Sequence, residues 1–371
     1  MELTKLNIVC QAYFKNYYRS IEFRFLTGMF KLKAAYYYDI NDFSVEDISL
    51  EIGPEELLVE VKSVGICGTD VHKAVKKTVK PPIVLGHEVA GVVVQVGENV
   101  QKFNQGDRVA LAHHASCRVC DLCLKGHDSL CSQYLKTNLD PGGFSTHVRV
   151  PRENVANTTL RIPDSLSFDE AAFMEPLSCC LRGLMRVNMC PGDSVLVIGA
   201  GPIGLLFVQL VQAFNGGELF ATDLVEYRLQ KAKENGVKYC INPGEEALKD
   251  SIMDKTDNKG VAIIINTVGV SSVYQQGLDL IAKGGHYLFF AETYDKGKIS
   301  FAPNLIYSKE LDFIGSYSSS PDYYQMGLDL IKYEKINVKR LITHSFSLDE
   351  INTAINLANE AKDSLKLMIN P

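Results

Sequence analysis

Four thiols stand close together in this chain, at Cys117, Cys120, Cys123 and Cys131, spaced Cys-x2-Cys-x2-Cys-x7-Cys in a short loop that contains Gly126. Thiolates at this spacing can enclose one Zn2+ tetrahedrally, and a closed four-sulfur shell leaves no position for a substrate. The pattern therefore reads as a structural zinc site. The competing reading, free thiols or local disulfides, is disfavoured in a reducing compartment. His113, His114 and His127 lie nearby and read as solvent-exposed or supporting side chains. A second set of metal-competent residues lies upstream: Cys67 within Val64–His72, then His87 and Glu88 in Leu85-Gly86-His87-Glu88. Zn2+ accepts such a mixed set of sulfur, imidazole and carboxylate with room for an exchangeable ligand. Taken singly, each has a plainer reading: Cys67 as a buried thiol, His87 as a satisfied core histidine, Glu88 as a solvated carboxylate. Glu175, beside Pro176, reads equally well as an acid at a helix end.

A third group of residues addresses a phosphate-bearing ligand. Ser194–Ile198 is a short apolar run that reads as a strand buried on both faces. Gly199-Ala200-Gly201-Pro202-Ile203-Gly204 follows and matches G-x-G-x-x-G, opening the apolar helix Leu205–Phe214. Gly199 permits the tight turn, Gly201 lets a pyrophosphate approach the backbone, and Gly204 lets helix and strand pack closely. Pro202 suits a first helical turn, where an N–H has no partner. The free N–H groups and positive dipole end of that helix then face the phosphates. Asp223 ends the next strand, Leu219–Thr222, where it can accept hydrogen bonds from ribose hydroxyls and repel a 2′-phosphate. NAD is expected over NADP. Arg228 and Val268 are carried as further cofactor-side candidates, Arg228 with a plain alternative as a solvated helix position.

These groups need two kinds of scaffold. Strand-like segments at Ala34–Tyr38, Leu57–Lys62 and Pro141–Val150 make the front of the chain mostly β, with a turn at Gly53-Pro54. Phe168–Phe173 reads as a helix ending at Glu175-Pro176-Leu177. From Ser194 onward strands and helices alternate through Tyr239–Asn242, Val261–Asn266, His286–Ala291 and Leu311–Ile314, giving six strands of a doubly wound parallel sheet, an α/β arrangement. After the loop Ser316–Pro321, two amphipathic helices, near Asp322–Tyr333 and Asp349–Ala361, and a strand-like Leu365–Ile369 are expected to fold back onto the front of the chain.

With 371 residues, 46% of them hydrophobic, the chain can bury large cores and is expected to form two domains. A net charge of -6 offers no basic excess for nucleic acid or anionic lipid. No apolar run reaches the roughly 18 residues needed to span a bilayer. Residues 1–28 lack the apolar centre and cleavage site of a secretory signal, and read as an extension of unknown role. Ten cysteines, four of them at metal spacing, fit the cytoplasm.

As an ordered set, Gly65–His72, Gly86-His87-Glu88, the four-cysteine loop, Glu175-Pro176-Leu177-Ser178, Gly199–Gly204 and Thr222-Asp223 resemble the zinc-dependent medium-chain alcohol dehydrogenases over Met29 to Pro371, in the branch of the sorbitol-type polyol dehydrogenases and L-threonine dehydrogenase. The resemblance implies a GroES-like, mostly-β catalytic domain (29–180 and 319–371) and a Rossmann NAD-binding domain (181–318). It implies a catalytic zinc held by Cys67, His87 and either Glu88 or Glu175, a proton relay through Thr69 and His72, and a homodimer or homotetramer. The chemistry would be oxidation of a secondary hydroxyl of a small alcohol or polyol: hydride leaves readily once the oxygen carries negative charge, and zinc lowers the pKa of a bound oxygen, for water from about 15.7 to about 7. Oxidation of a hydroxy-amino acid, or an NAD-binding protein without activity, are the alternatives. Two departures bear on substrate: the segment between His72 and Gly86 is shorter than in the polyol and threonine enzymes and lacks their aromatic residues, and Ser316-Tyr317 stands where the polyol enzymes carry Arg-Tyr.

Overall fold

The computed structural model describes residues 29–371; the expected extension, 1–28, lies outside the described residues. A six-stranded parallel sheet is built from the apolar runs, in the spatial order Tyr239–Ile241, Leu219–Thr222, Val195–Ile198, Val261–Asn266, Ile281–Phe289, Asp312–Gly315. Every residue of Val195–Ile198 and Leu219–Thr222 is buried, as a strand covered by helices on both faces requires. Val195–Ile198 has the next strand in sequence on one side and the later Val261–Asn266 on the other. A crevice therefore opens at its carboxyl end, where Gly199 stands.

The rest of the chain makes a seven-stranded sheet and a three-stranded sheet. In the larger one, Leu57–Gly65 pairs antiparallel with Glu88–Val96, which pairs with Arg108–Ala112. The terminal strand Lys366–Ile369 pairs with Leu57–Gly65 through Met368 opposite Gly65, so the end of the chain does return to its front. Among the described residues no helix is long and apolar enough to cross a membrane.

Two segments differ from the sequence reading. Only His147–Val150 of the expected Pro141–Val150 strand is a strand. Before it, Gly142 adopts φ +141 and turns the chain so that the Gly143 and Phe144 N–H groups reach Gly86 O and Leu85 O at 2.8 and 2.9 Å. Glu175 does not end a helix. Phe168–Ala172 is a separate short helix with a Ser167/Glu170 capping box, and Glu175-Pro176 lies in the first turn of Met174–Val187. Pro176 suits that turn because its missing N–H would have had no partner there. The longer helix is buried along most of its length and packs between the two large sheets, where Leu177, Leu181 and Leu184 join Ala90 and Ala110 from one and Val195 and Val197 from the other. Burying each of those leucines contributes roughly 1.5–3 kcal/mol.

Candidate functional site

Cys67 caps the helix Gly68–Lys76, directly after the strand Leu57–Gly65, and Glu88 begins the strand paired beside it, with Gly65 opposite Glu88. Two neighbouring strand ends thus bring the three donors together: the ligand atoms of Cys67, His87 and Glu88 lie within 4.8 Å of one another. A tetrahedral Zn2+ with bonds of about 2.0–2.3 Å needs donor atoms about 3.5 Å apart, so small side-chain rotations suffice and the set fits that ion. Buried Asp70 organises the group. Its carboxylate accepts the N–H groups of Cys67 (3.1 Å) and Gly86 (3.2 Å) and contacts His87 Nδ1 at 3.2 Å. A carboxylate can only accept, so Nδ1 carries the proton and Nε2 keeps its lone pair for a metal. Without an ion, burial opposes a charge on His87 but Asp70 and then Cys67 outweigh it and hold the imidazole well above its ordinary value, so a cation at Nε2 would take the place of a second proton there.

The two candidate carboxylates are in different states. Lys366 Nζ lies 2.8 and 2.6 Å from the two oxygens of Glu88 and donates to Ile66 O at 3.1 Å, with both side chains buried. Glu175 stands outside the 4.8 Å cluster and, among the described residues, has no cation within bonding distance; Cys179 Sγ is 3.5 Å from its Oε1. Burial raises the Glu175 carboxyl above the usual range, against the pull of His87. Thr69 and His72 lie on the helix that Cys67 caps. The His72 ring is stacked on Tyr294, with centroids 3.4 Å apart. Burial lowers its pKa, with Glu292 pulling the other way.

Cys117, Cys120, Cys123 and Cys131 also bring their sulfurs within 4.8 Å of one another, in a separate lobe. The N–H groups of Val119 and Cys120 pull the Cys117 thiol down to about 6, whereas burial pushes the Cys123 thiol up to about 12, so a cation among the sulfurs would be needed to hold all four as thiolates. Arg118, inside the loop, pairs with Asp128 at 2.9 Å and with Asp322 at 2.6 Å. His113 and His114 are partly buried: the His113 ring is 4.6 Å from that of His87, and its Nδ1 has no hydrogen-bond partner among the described residues.

At the crevice, Gly199 has φ +93, and a Cβ there would meet Thr267 Oγ1 at 2.6 Å. A Cβ on Gly204 would collide with Gly199 O. Among the described residues, a Cβ on Gly201 would have only the Arg228 guanidinium nearby, its Nη1 at 3.6 Å, so the backbone there is open to a ligand. One Asp223 oxygen accepts Ala200 N–H at 2.9 Å and the other accepts Val225 N–H at 3.0 Å, which aims the carboxylate into the crevice mouth. Val268 lies against Gly199, and Arg228 stands 3.9 Å from Asp223. These groups fit a dinucleotide.

Residues 53–164 match the alcohol dehydrogenase GroES-like domain, and residues 202–333 match the zinc-binding dehydrogenase family. A sorbitol dehydrogenase from Bacillus subtilis is 31% identical, covering 92% of this chain and 97% of its own length. The chain belongs to the zinc-dependent medium-chain dehydrogenases, in their polyol branch. An L-threonine 3-dehydrogenase from Caldanaerobacter subterraneus is 31% identical over 83% of this chain and 89% of its own. Among solved structures, one from Sinorhizobium meliloti described as a zinc-binding dehydrogenase bound to NADP has a TM-score of 0.84 at 30% identity, covering 92% of this chain and all of the other. In this dehydrogenase three residues of the centre carry no spacing signal. Asp70 is hidden inside the Cys67–His72 motif. Lys366 shows only as a lone cation in the apolar run Leu365–Ile369, and Tyr294 shows not at all.

Proposed function

We propose that this zinc-dependent dehydrogenase oxidises a secondary hydroxyl of a polyol, sugar derivative or similar small alcohol, with NAD as the hydride acceptor. The observation that carries the reading is the convergence of Cys67, His87 and Glu88 beside the helix bearing Thr69 and His72. In this reading Cys67 and His87 hold the ion with Glu88 or Glu175 as the carboxylate: Glu88 already converges with them but shares its charge with Lys366, whereas Glu175, among the described residues, has no ammonium within bonding distance. Zn2+, when bound, supplies the positive charge that makes a hydroxyl acidic near neutral pH. Thr69 passes the hydroxyl proton on to His72, whose imidazole is kept in its proton-accepting neutral form by burial and releases the proton to solvent. Gly199, Gly201, Pro202, Ile203 and Gly204 cradle the pyrophosphate, with Val268 and Arg228 beside them. Asp223 favours NAD by accepting from ribose hydroxyls and repelling a 2′-phosphate.

Cys117, Cys120, Cys123 and Cys131 hold a second, structural zinc. The division into a catalytic domain (29–180 and 319–371) and an NAD-binding domain (181–318), assembly as a homodimer or homotetramer, and a place in the cytoplasm belong to the same proposal. The test is a panel of polyols and hydroxy-amino acids assayed for NAD reduction by the zinc-loaded protein. Turnover of threonine with none of polyols would replace the substrate class, and a single zinc per chain with no turnover would point to a non-catalytic NAD-binding protein.

A further inference from the structure

The inner face of the helix Gly68–Lys76 packs within its own half of the molecule, where Tyr37 OH donates to Ala74 O at 2.9 Å, and the helix presents His72 to the cleft. Between His72 and Gly86 the chain is Lys73-Ala74-Val75-Lys76-Lys77-Thr78-Val79-Lys80-Pro81-Pro82-Ile83-Val84-Leu85, without a single aromatic residue. An aromatic ring arrives instead from the other sheet. Tyr294 lies in the loop after the strand Ile281–Phe289 and stacks on His72, centroids 3.4 Å apart and planes 15° from parallel. The loop that delivers it is fixed on both sides. Before the tyrosine, Ala291 N–H donates to Asn266 O at 3.2 Å and Ala291 O accepts from Tyr274 OH at 2.7 Å. After it, Asp295 accepts the N–H of Ser271 at 2.8 Å, the hydroxyl of Ser271 at 2.7 Å and the N–H of Gly297 at 3.1 Å. The ring is nonetheless 43% exposed. One face is covered by His72, and Thr69 and Glu292 lie beside its hydroxyl. Burial, then the nearby Glu292 carboxylate, push its phenol up to about 12, so it is a neutral, amphipathic surface at working pH.

We infer that Tyr294 is a specificity-determining residue, the wall of the alcohol-binding cleft on the His72 side, which limits how bulky a substituent the reacting carbon can carry there. The inference rests on the dehydrogenase reading above. A rigid aromatic wall discriminates by size, since each methylene that must be accommodated or excluded changes kcat/KM by about 10-fold or more. The ring also ties the two sheets together at the cleft, because His72 and Tyr294 belong to opposite sides of it.

The test compares wild type, Tyr294→Ala, Tyr294→Phe and Tyr294→Trp, zinc-loaded, on secondary alcohols and polyols of increasing length. Calorimetric binding of the same alcohols in the presence of NADH is measured alongside. Tyr294→Ala should raise kcat/KM for long relative to short substrates by about 10-fold or more, with the same change in relative affinity. Tyr294→Phe should keep the wild-type ratio, and Tyr294→Trp should sharpen the exclusion. Zinc content should be unchanged in all three. An unchanged ratio in both the Ala and Trp variants, with wild type active, overturns the assignment of Tyr294 alone. A wild type that oxidises no alcohol overturns the dehydrogenase reading and this inference with it.

Discussion

Glu88 and Lys366 place opposite charges 2.6 Å apart with almost no exposure, 1% and 3%. A buried pair of this kind is costly to break from one side, because the charge left behind is desolvated without compensation. Lys366→Met is therefore expected to lower unfolding free energy by about 3–5 kcal/mol in urea titrations, and the double variant Glu88→Gln/Lys366→Met to recover part of that loss. Asp70 shows the same logic with a pH dependence. Burial alone would raise its carboxyl, but His87 and the Cys67 N–H hold it below the ordinary carboxylate range. The ionised form then contributes stability that is fully present above the unfolded value of about 3.9 and is lost as pH falls through the lower, folded value. Asp70→Asn should flatten that acid limb of the stability profile. For the chemistry, Cys67→Ala should abolish NAD reduction while circular dichroism and melting remain close to wild type. Near-normal turnover in that variant would mean the proposed centre is misassigned.

The four-cysteine lobe is a small element with few apolar residues of its own to bury: Cys123, Cys131 and Tyr134 make its whole cluster, with Cys117 and Cys120 packed against them. Such a lobe needs a staple, and a metal held by four thiolates provides one. The lobe also carries structure beyond itself. Arg118 and Asp128 reach Asp322 and Ser320, and Tyr134 OH meets Ser318 Oγ at 2.7 Å, so it braces the loop from residue 318 to the helix Pro321–Lys332. Cys120→Ala should release one zinc per chain, measured by metal analysis, and lower Tm while the ion at the Cys67 centre stays bound. The glycine turn is an element of the opposite kind, where added atoms are the hazard. Gly199→Ala should weaken NAD binding and stability together, because φ +93 disfavours a side chain and its Cβ would press on Thr267 Oγ1.

The two large sheets share the helix Met174–Val187, which is why its first turn can deliver Glu175 to the neighbourhood of His87 and Glu88 while its body fills the core. A cleft between two such units closes best around a ligand that touches both. NAD at 100 times its Kd is expected to stabilise the protein by about 2.7 kcal/mol, read as a rise in Tm. If Asp223 sets the proposed preference for NAD over NADP, Asp223→Ser should narrow it, measured as a ratio of kcat/KM. An unchanged ratio would move cofactor choice to Arg228 or elsewhere.

Much of this was legible in the chain itself, wherever a local rule governs the outcome. Four thiols within one short loop have little choice but to meet, and a strand, a glycine turn and a helix in register form one unit that needs no distant partner to be recognised. The same holds for Leu219–Thr222 and Val261–Asn266, whose continuous apolar runs suit strands covered on both faces. Spacing could not say that Glu175 opens a helix, because Pro176 is compatible with a helix end and a helix start alike. Nor could it say which carboxylate is free. That depends on Lys366, far from Glu88 in sequence and brought to it only when Lys366–Ile369 pairs with Leu57–Gly65. Tyr294 is the clearest case: its ring meets His72 only because elements from two different sheets face each other, and contact between surfaces that distant in sequence follows from packing, which no local pattern encodes.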